Sequence, residues 1–340
     1  MSAYKPPLEG RSSKPYLLLD FNERTTPVGE EIKKALVSYI SEDRLQAYPE
    51  YGDIVSKLAR YAEVSEDEVL FTNGSDQGID LVYRLTTKAG DEAIVPQPTF
   101  AMLTHAAELQ DLKIKTPAYS REYGYPLDEV KSLVTESTAL IAVCNPNSPT
   151  GTLLAPQEIK GLAQFASHAA ILVDECYYEF SKSSAKEYLA QCPNIFIART
   201  FSKTWGLPSL RFGYMLSHRD NIAELLKVRG PYDVNKFAVV AASTALDSPR
   251  FMEEYVAEVL EKSKPKLLTY LDQKDVEYWP TEANFVLIYA PNATQVLSAL
   301  EEENILVRPR SGPGIDGTLR ITIGTLSDTK RLISVLEKVL

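Results

Sequence analysis

A chain of 340 residues, 44% hydrophobic and 24% charged, has an ordinary globular composition with room for two modest domains or one large α/β unit carrying an appendage. Lys+Arg 36 against Asp+Glu 46 gives a net charge of −10, which argues against a nucleic-acid binder, whose affinity rests on clustered cations that neutralise phosphates. No apolar run approaches the roughly 18 residues of a membrane span, and the N-terminal run MSAYKPPLEGRSSKPY lacks the apolar centre of a signal peptide, so the expected location is the cytoplasm. Cys144, Cys176 and Cys192 show no CxxC spacing, and His105, His168 and His218 are scattered, so neither a disulfide framework nor a metal site is expected.

The chain opens on a Pro-rich arm, an apolar run Tyr16–Phe21 and a helical stretch Gly29–Ile40. Short runs rich in Val, Ile and Leu then alternate with amphipathic helical stretches. The runs are Glu68–Thr72, Glu92–Val95, Ala139–Cys144, Ala170–Asp174 and Ile195–Thr200; the helical stretches include Ile54–Tyr61, Gln77–Leu85, Thr99–Leu109 and Pro156–Phe165. Short apolar strands bounded by turns and separated by helices predict a mostly parallel sheet covered on both faces. After about Asp233 the texture changes to a long helical stretch from Pro249 to Leu271, alternating runs at Ala283–Ile288, Ile305–Arg308 and Leu319–Ile323, and a final helix from Asp328. The predicted organisation is an N-terminal segment over 1–45, a large α/β domain over 46–233 and a smaller α+β domain over 234–340.

Four segments carry candidate chemistry. Thr72-Asn73-Gly74-Ser75-Asp76-Gln77 lies between a strand and a helix, where free backbone N–H groups bind phosphate, although a plain Ser/Asp cap has the same look. Cys144-Asn145-Pro146-Asn147-Ser148-Pro149-Thr150-Gly151 follows the next strand but one as a rigid turn of amides and hydroxyls. The strand Ala170–Asp174 ends abruptly in an acid; a carboxylate there can pair with a protonated pyridine nitrogen, or equally cap a helix or bind magnesium. Arg199-Thr200-Phe201-Ser202-Lys203-Thr204-Trp205-Gly206 places a lysine among hydroxyls just beyond a strand end, with Arg211 eight positions later. Ligands collect at such strand ends, hydroxyls and a guanidinium suit a phosphate dianion, and a lysine can condense with an aldehyde.

In this order and at these separations the four segments resemble the fold type I aminotransferases of the aspartate-aminotransferase superfamily, and among them the histidinol-phosphate aminotransferase family. The resemblance runs over nearly the whole chain: LDFNE at Leu19–Glu23, AYPE at Ala47–Glu50, NGSDQ at Asn73–Gln77, PTF at Pro98–Phe100, NPNSPTG, VDECYYEF, RTFSKTWGLPSLRFGY, PYDVN at Pro231–Asn235, ANFVL at Ala283–Leu287, VRPR at Val307–Arg310 and LRITIG at Leu319–Gly324. It implies a pyridoxal 5'-phosphate enzyme in which Lys203 carries the cofactor covalently and serves as general base. Asp174 would bind the ring nitrogen and Tyr177 the ring oxygen. Ser75, Asp76, Thr200, Ser202 and Arg211 would hold the phosphate, with Phe100 stacked on the ring. Tyr48 would reach the phosphate in a partner subunit, making the enzyme a homodimer. Arg320, with Arg308 close by, would bind the substrate's anionic group, with Asn22, Tyr4 and Arg11 near the substrate.

Two positions depart from the family pattern: Ser148 stands where an asparagine usually donates to the ring oxygen, with Asn147 or Asn145 as possible substitutes, and Cys176 stands where a small residue is usual. The implied reaction is amino transfer between histidinol phosphate and 2-oxoglutarate. Transamination of aromatic or other amino acids and decarboxylation of threonine phosphate are the alternatives within the same fold. GxxxxGK[ST] does not occur, which disfavours a P-loop enzyme.

Overall fold

A computed structural model describes residues 8–340; Tyr4 lies outside the described residues. Eleven strands are present among them: β1 (Leu17–Leu19), β2 (Val69–Asn73), β3 (Glu92–Ile94), β4 (Lys113–Lys115), β5 (Thr138–Cys144), β6 (Ala170–Asp174), β7 (Ile195–Thr200), β8 (Phe212–Ser217), β9 (Phe285–Ile288), β10 (Ile305–Arg310) and β11 (Thr318–Thr322). They form a 7-stranded sheet in the order β2-β8-β7-β6-β5-β3-β4 and a 4-stranded sheet in the order β1-β10-β11-β9.

The large sheet divides its side chains by the two-residue period of a strand. Ile141, Val143, Ile171, Val173, Ile195 and Ile197 enter one core with the helices Ile54–Ala62 and Pro156–Phe165. Leu140, Ala142, Leu172, Phe196 and Ala198 enter the other with the helices Gly74–Thr86, Ala101–Leu109 and Arg219–Val228. Burial on both faces is why these strands read as unbroken apolar runs rather than alternating ones. The sheet is parallel except at β8, which is antiparallel to both β7 and β2. The connection 201–211 between β7 and β8 contains only a single 3₁₀ turn, Pro208–Leu210, too little chain for the helical crossover a parallel neighbour requires. Because β8 is reversed, β2 runs in the same direction as β5, β6 and β7, and all four deliver their C-terminal ends to one edge.

In the small sheet β1 pairs in parallel with β10, joining the N-terminal segment to the C-terminal part of the chain. The helix Lys236–Asp247 falls within the stretch assigned by sequence texture to the C-terminal unit. It packs against elements from earlier in the chain: Phe237 meets Tyr39 edge-on at 5.3 Å, and Ser243 and Asp247 accept from Lys57 Nζ at 2.7 and 2.6 Å. The helix beginning at Gly74 starts three residues before the predicted Gln77, because Gln77 Oε1 accepts the Asn73 N–H at 2.7 Å and ties down its first turn. No helix among the described residues is long and apolar enough to cross a membrane.

Candidate active site

The four strand ends open on one cleft. It is lined by Ser75 and Asp76 after β2, Cys144 and Ser148 after β5, Asp174, Cys176 and Tyr177 after β6, and Thr200, Ser202, Lys203 and Arg211 after β7, with Phe100, Pro208, Phe21 and Glu23 around the rim. One end is built to receive an anion. The helix Gly74–Thr86 points its first turn into the cleft, and its unpaired N–H groups and positive dipole end favour negative charge. β8 passes so close that a Cβ on Gly213 would stand 2.5 Å from both the Gly74 carbonyl carbon and the Ser75 nitrogen, so only glycine fits there. Arg211 adopts a left-handed φ of 58° and donates to Asp76 Oδ2 at 2.6 Å. Thr200 Oγ1 accepts the Ser202 N–H at 3.1 Å and donates to Ser202 Oγ at 3.0 Å, folding both hydroxyls into the same turn.

The other end is acidic. Asp174 is buried, and its Oδ1 accepts the Cys176 N–H at 3.1 Å. Burial raises the proton affinity of its carboxyl above the ordinary range, with the Cys176 hydrogen bonds and the charge of Lys203 acting against that shift. Cys144 Sγ lies 3.9 Å from Asp174 Oδ2, and Cys176 Sγ donates to Ser75 Oγ at 3.2 Å. Burial first, and then the Asp174 charge, push both thiols well above their usual range, leaving them as protonated packing groups.

Between the two ends, Lys203 Nζ donates to the Phe21 carbonyl at 2.9 Å and lies 5.9 Å from the Tyr177 ring centroid. Tyr177 OH accepts from Asn22 Nδ2 at 2.8 Å, which leaves the phenolic proton available to the cleft. Asn22 also lines the site, and its Oδ1 accepts from Thr322 Oγ1 at 3.3 Å, which fixes the amide that orients Tyr177. A second hollow shares Phe21, Phe100, Ser148, Tyr177 and Lys203 with the first and adds Arg308, Arg310 and Arg320. Arg308 and Arg320 are direct partners in the β10–β11 ladder. Arg320 donates to Ser148 Oγ at 2.9 Å and to the Asp20 carbonyl at 2.7 Å.

Several expected residues stand elsewhere. Asn147 is buried, and its amide is consumed by Pro98 O at 2.9 Å, Thr150 Oγ1 at 2.8 Å and Thr99 Oγ1 at 2.7 Å. Asn145 is likewise spent on Leu154. Neither replaces the missing asparagine; the cleft is faced at that point by Ser148 itself. Tyr48 lies outside the cleft, 77% exposed and stacked on Tyr232 at 4.4 Å. Arg11 is bound to Asp20 and Glu23 and lies over the Phe21 ring at 4.6 Å, with Arg308 over the same ring at 5.2 Å. Sequence reading missed the Phe21 carbonyl and Arg310. A backbone acceptor leaves no mark in sequence, but Arg308 and Arg310 are two apart on one strand, and the strand period alone assigns them to one face.

The donor set fits pyridoxal 5'-phosphate: an anion cradle at one end, a buried carboxylate suited to a protonated ring nitrogen at the other, and a primary amine and a phenol between them.

The family model for aminotransferase class I and II matches residues 14–336. The chain is 31% identical over 330 residues to a histidinol-phosphate aminotransferase of Dechloromonas aromatica, covering 94% of this chain and 88% of the relative. It is 32% identical over 326 residues to a histidinol-phosphate aminotransferase of Cytophaga hutchinsonii, covering 94% and 90%. Among solved structures, the histidinol-phosphate aminotransferase of Sinorhizobium meliloti in complex with pyridoxal-5'-phosphate superposes with a TM-score of 0.89 at 21% identity, covering 99% of this chain and 95% of that one. The L-threonine-O-3-phosphate decarboxylase of Porphyromonas gingivalis gives 0.81 at 23%, covering 95% and 98%; these two likenesses speak for the fold. A family match over nearly all of the described residues, full-length relatives above 30% identity and a fold type I architecture with its cleft at the strand ends make this chain a member of the class I and II aminotransferases.

Proposed function

We propose that the protein is a pyridoxal-phosphate-dependent aminotransferase that moves the amino group of histidinol phosphate to 2-oxoglutarate, giving imidazole acetol phosphate and glutamate in histidine biosynthesis in the cytoplasm. The observation that carries the substrate is the second hollow, where Arg308, Arg310 and Arg320 line one wall beside Lys203. A phosphate ester and an α-carboxylate must both be received there in turn. Guanidinium groups meet either with paired N–H···O bonds. The curated relatives that match 94% of the chain are named for the same substrate.

When bound, the cofactor supplies an aldehyde that carries nitrogen and a ring that withdraws electrons from the adjacent carbon. Lys203 would hold the cofactor covalently, and its amine is placed to take and return a proton at the reacting carbon. Asp174 would accept the ring N–H, and Tyr177, oriented by Asn22, would donate a hydrogen bond to the ring oxygen. The N–H groups at Ser75 and Asp76, the hydroxyls of Thr200 and Ser202 and the guanidinium of Arg211 would hold the phosphate, and Phe100 would cover the ring. Ser148, accepting from Arg320, keeps its own proton and would be a donor available to the ring oxygen. The deciding assay compares histidinol phosphate, histidinol, phenylalanine and phosphothreonine as donors. Histidinol phosphate is expected to have the highest specificity constant. Preference for phenylalanine would move the assignment to aromatic transamination, and carbon dioxide release from phosphothreonine would move it to decarboxylation.

The working unit in this reading is a homodimer. Tyr48 and Tyr232 form a stacked, exposed pair, and Val37, Ile40 and Leu45 from the same part of the chain are also more than half exposed, an apolar patch of the kind that partners cover. Tyr48 would complete the phosphate site of the second subunit. Mixing Tyr48→Phe with Lys203→Ala protein is then expected to recover activity, since hybrid dimers contain one intact site. No recovery on mixing, or full activity in a sedimenting monomer, would eliminate the shared site.

A further inference from the structure

Glu179 is buried, at 2% exposure, and three neutral donors hold its carboxylate: Tyr61 OH at 3.1 Å and Trp205 Nε1 at 3.2 Å on Oε1, and Thr204 Oγ1 at 3.0 Å on Oε2. A carboxylate buried only to fill space is disfavoured against an apolar side chain of similar volume. What a fully bonded one contributes is direction, because each donor fixes the rotation of its own segment.

Two of the three donors are the residues that immediately follow Lys203. They belong to a tight loop in which Gly206 N–H donates to the Lys203 carbonyl at 3.1 Å, Leu207 N–H donates to the Phe201 carbonyl at 3.0 Å, and Trp205 stacks on Phe201 at 4.9 Å. Glu179 itself lies on the turn Tyr178–Ser181, whose N-cap is Tyr177. The Phe180 and Ser181 N–H groups both donate to the Tyr177 carbonyl, at 3.0 and 3.2 Å, so Glu179 and Tyr177 share one rigid turn. The loop that presents the amine is thereby tied to the turn that presents the phenol.

We propose that Glu179 is a positioning residue that sets the amine of Lys203 against Tyr177 and Asp174, so that covalent capture of the cofactor depends on it. This rests on the assignment of Lys203 made above. Glu179→Ala leaves the loop free to rotate; Glu179→Gln keeps the shape and an acceptor for Oε1's donors, and the Thr204 hydroxyl can turn to accept from the new amide. Tyr61→Phe removes a donor that is not on the lysine loop.

The test exposes each variant to pyridoxal 5'-phosphate for timed intervals, traps the adduct with borohydride and maps the label. In parallel it measures the affinity for pyridoxamine 5'-phosphate, which has no aldehyde. In Glu179→Ala the rate of labelling at Lys203 is expected to fall about ten- to a hundredfold, the scale of a misplacement near one ångström. Affinity for the pyridoxamine form should hold, and the Gln and Tyr61→Phe variants should stay near wild type. Should the alanine variant fail to fold, Thr204→Val with Trp205→Phe breaks the same tie from the other side and is expected to show the same split. Parallel loss of both probes, or unchanged labelling in the alanine or double variant, would overturn the proposal. A wild-type label on another lysine would instead overturn the assignment of Lys203 itself and the proposal with it.

Discussion

Lys203→Ala is expected to abolish both the borohydride-trappable link to pyridoxal phosphate and the transamination rate. Lys203 lines the cleft at the bend between β7 and β8, and its amine donates to the Phe21 carbonyl at 2.9 Å. That single contact leaves the amine able to turn toward a carbonyl carbon placed between Tyr177 and Arg211. In the proposed mechanism, removing the lysine would delete the nucleophile and the base together, and the two losses would not add as independent terms. The rate should therefore fall by at least the roughly 10²–10⁴-fold that a positioned general base contributes. The cofactor's phosphate contacts survive the change, so the variant should still bind pyridoxamine 5'-phosphate, and a small primary amine added in solution should restore part of the rate by occupying the space the side chain vacates. Peptide mapping of wild-type protein after borohydride treatment provides the check: a label on any other lysine would sink the assignment.

That lysine was legible from sequence because β7, like β5 and β6, is an unbroken apolar run that stops at a polar residue, and the stop marks the sheet edge where ligands gather. The same logic points to Asp174 and the Ser75–Asp76 turn, which line the same cleft. It failed where chemistry depends on chain segments meeting across long separations. Phe21 reaches Lys203 across 182 positions, and through a carbonyl that every residue possesses. Asn147 illustrates a different failure. Matching residue type to role ignored that a buried loop must satisfy its own polar groups first, and the loop 145–152 uses its asparagines to do so. In the fold, β8 is hard to see in sequence because the RTFSKTWGLPSLRFGY motif continues into it. β4, with the sequence KIK at the sheet edge, carries too little apolar signal to separate from a loop. The N-terminal strand could be seen as an apolar run, but its pairing with β10, nearly the whole chain length away, was not accessible to local pattern.

Asp174→Asn should separate cofactor chemistry from protein stability, moving them in opposite directions. In the proposed loaded enzyme the carboxylate would favour a proton on the ring nitrogen, since a nearby negative charge stabilises the protonated form. An amide in its place can hydrogen-bond without that bias. The half-reaction with the amino donor is expected to slow on the order of 10²–10³-fold, the scale for removing one aimed electrostatic partner, while cofactor stays bound through the phosphate cradle. A half-reaction at the wild-type rate would remove Asp174 from the mechanism. In the cofactor-free protein the sign reverses. Burial raises the proton affinity of Asp174 in the folded state above its unfolded value, so the folded state binds more protons there than the unfolded chain. Its contribution to stability is then complete below the ordinary carboxylate range, roughly pH 4, and is lost as the pH rises through the raised folded-state value. The asparagine variant has no such titration. Cofactor-free Asp174→Asn protein should accordingly lose less of its melting temperature than wild type between acid and neutral pH, and match or exceed wild type at neutrality. Pyridoxal phosphate should then stabilise wild type more than the variant, because only the carboxylate gains a cationic partner. Parallel melting curves for the two cofactor-free proteins across that range would contradict the desolvated carboxylate on which this expectation stands.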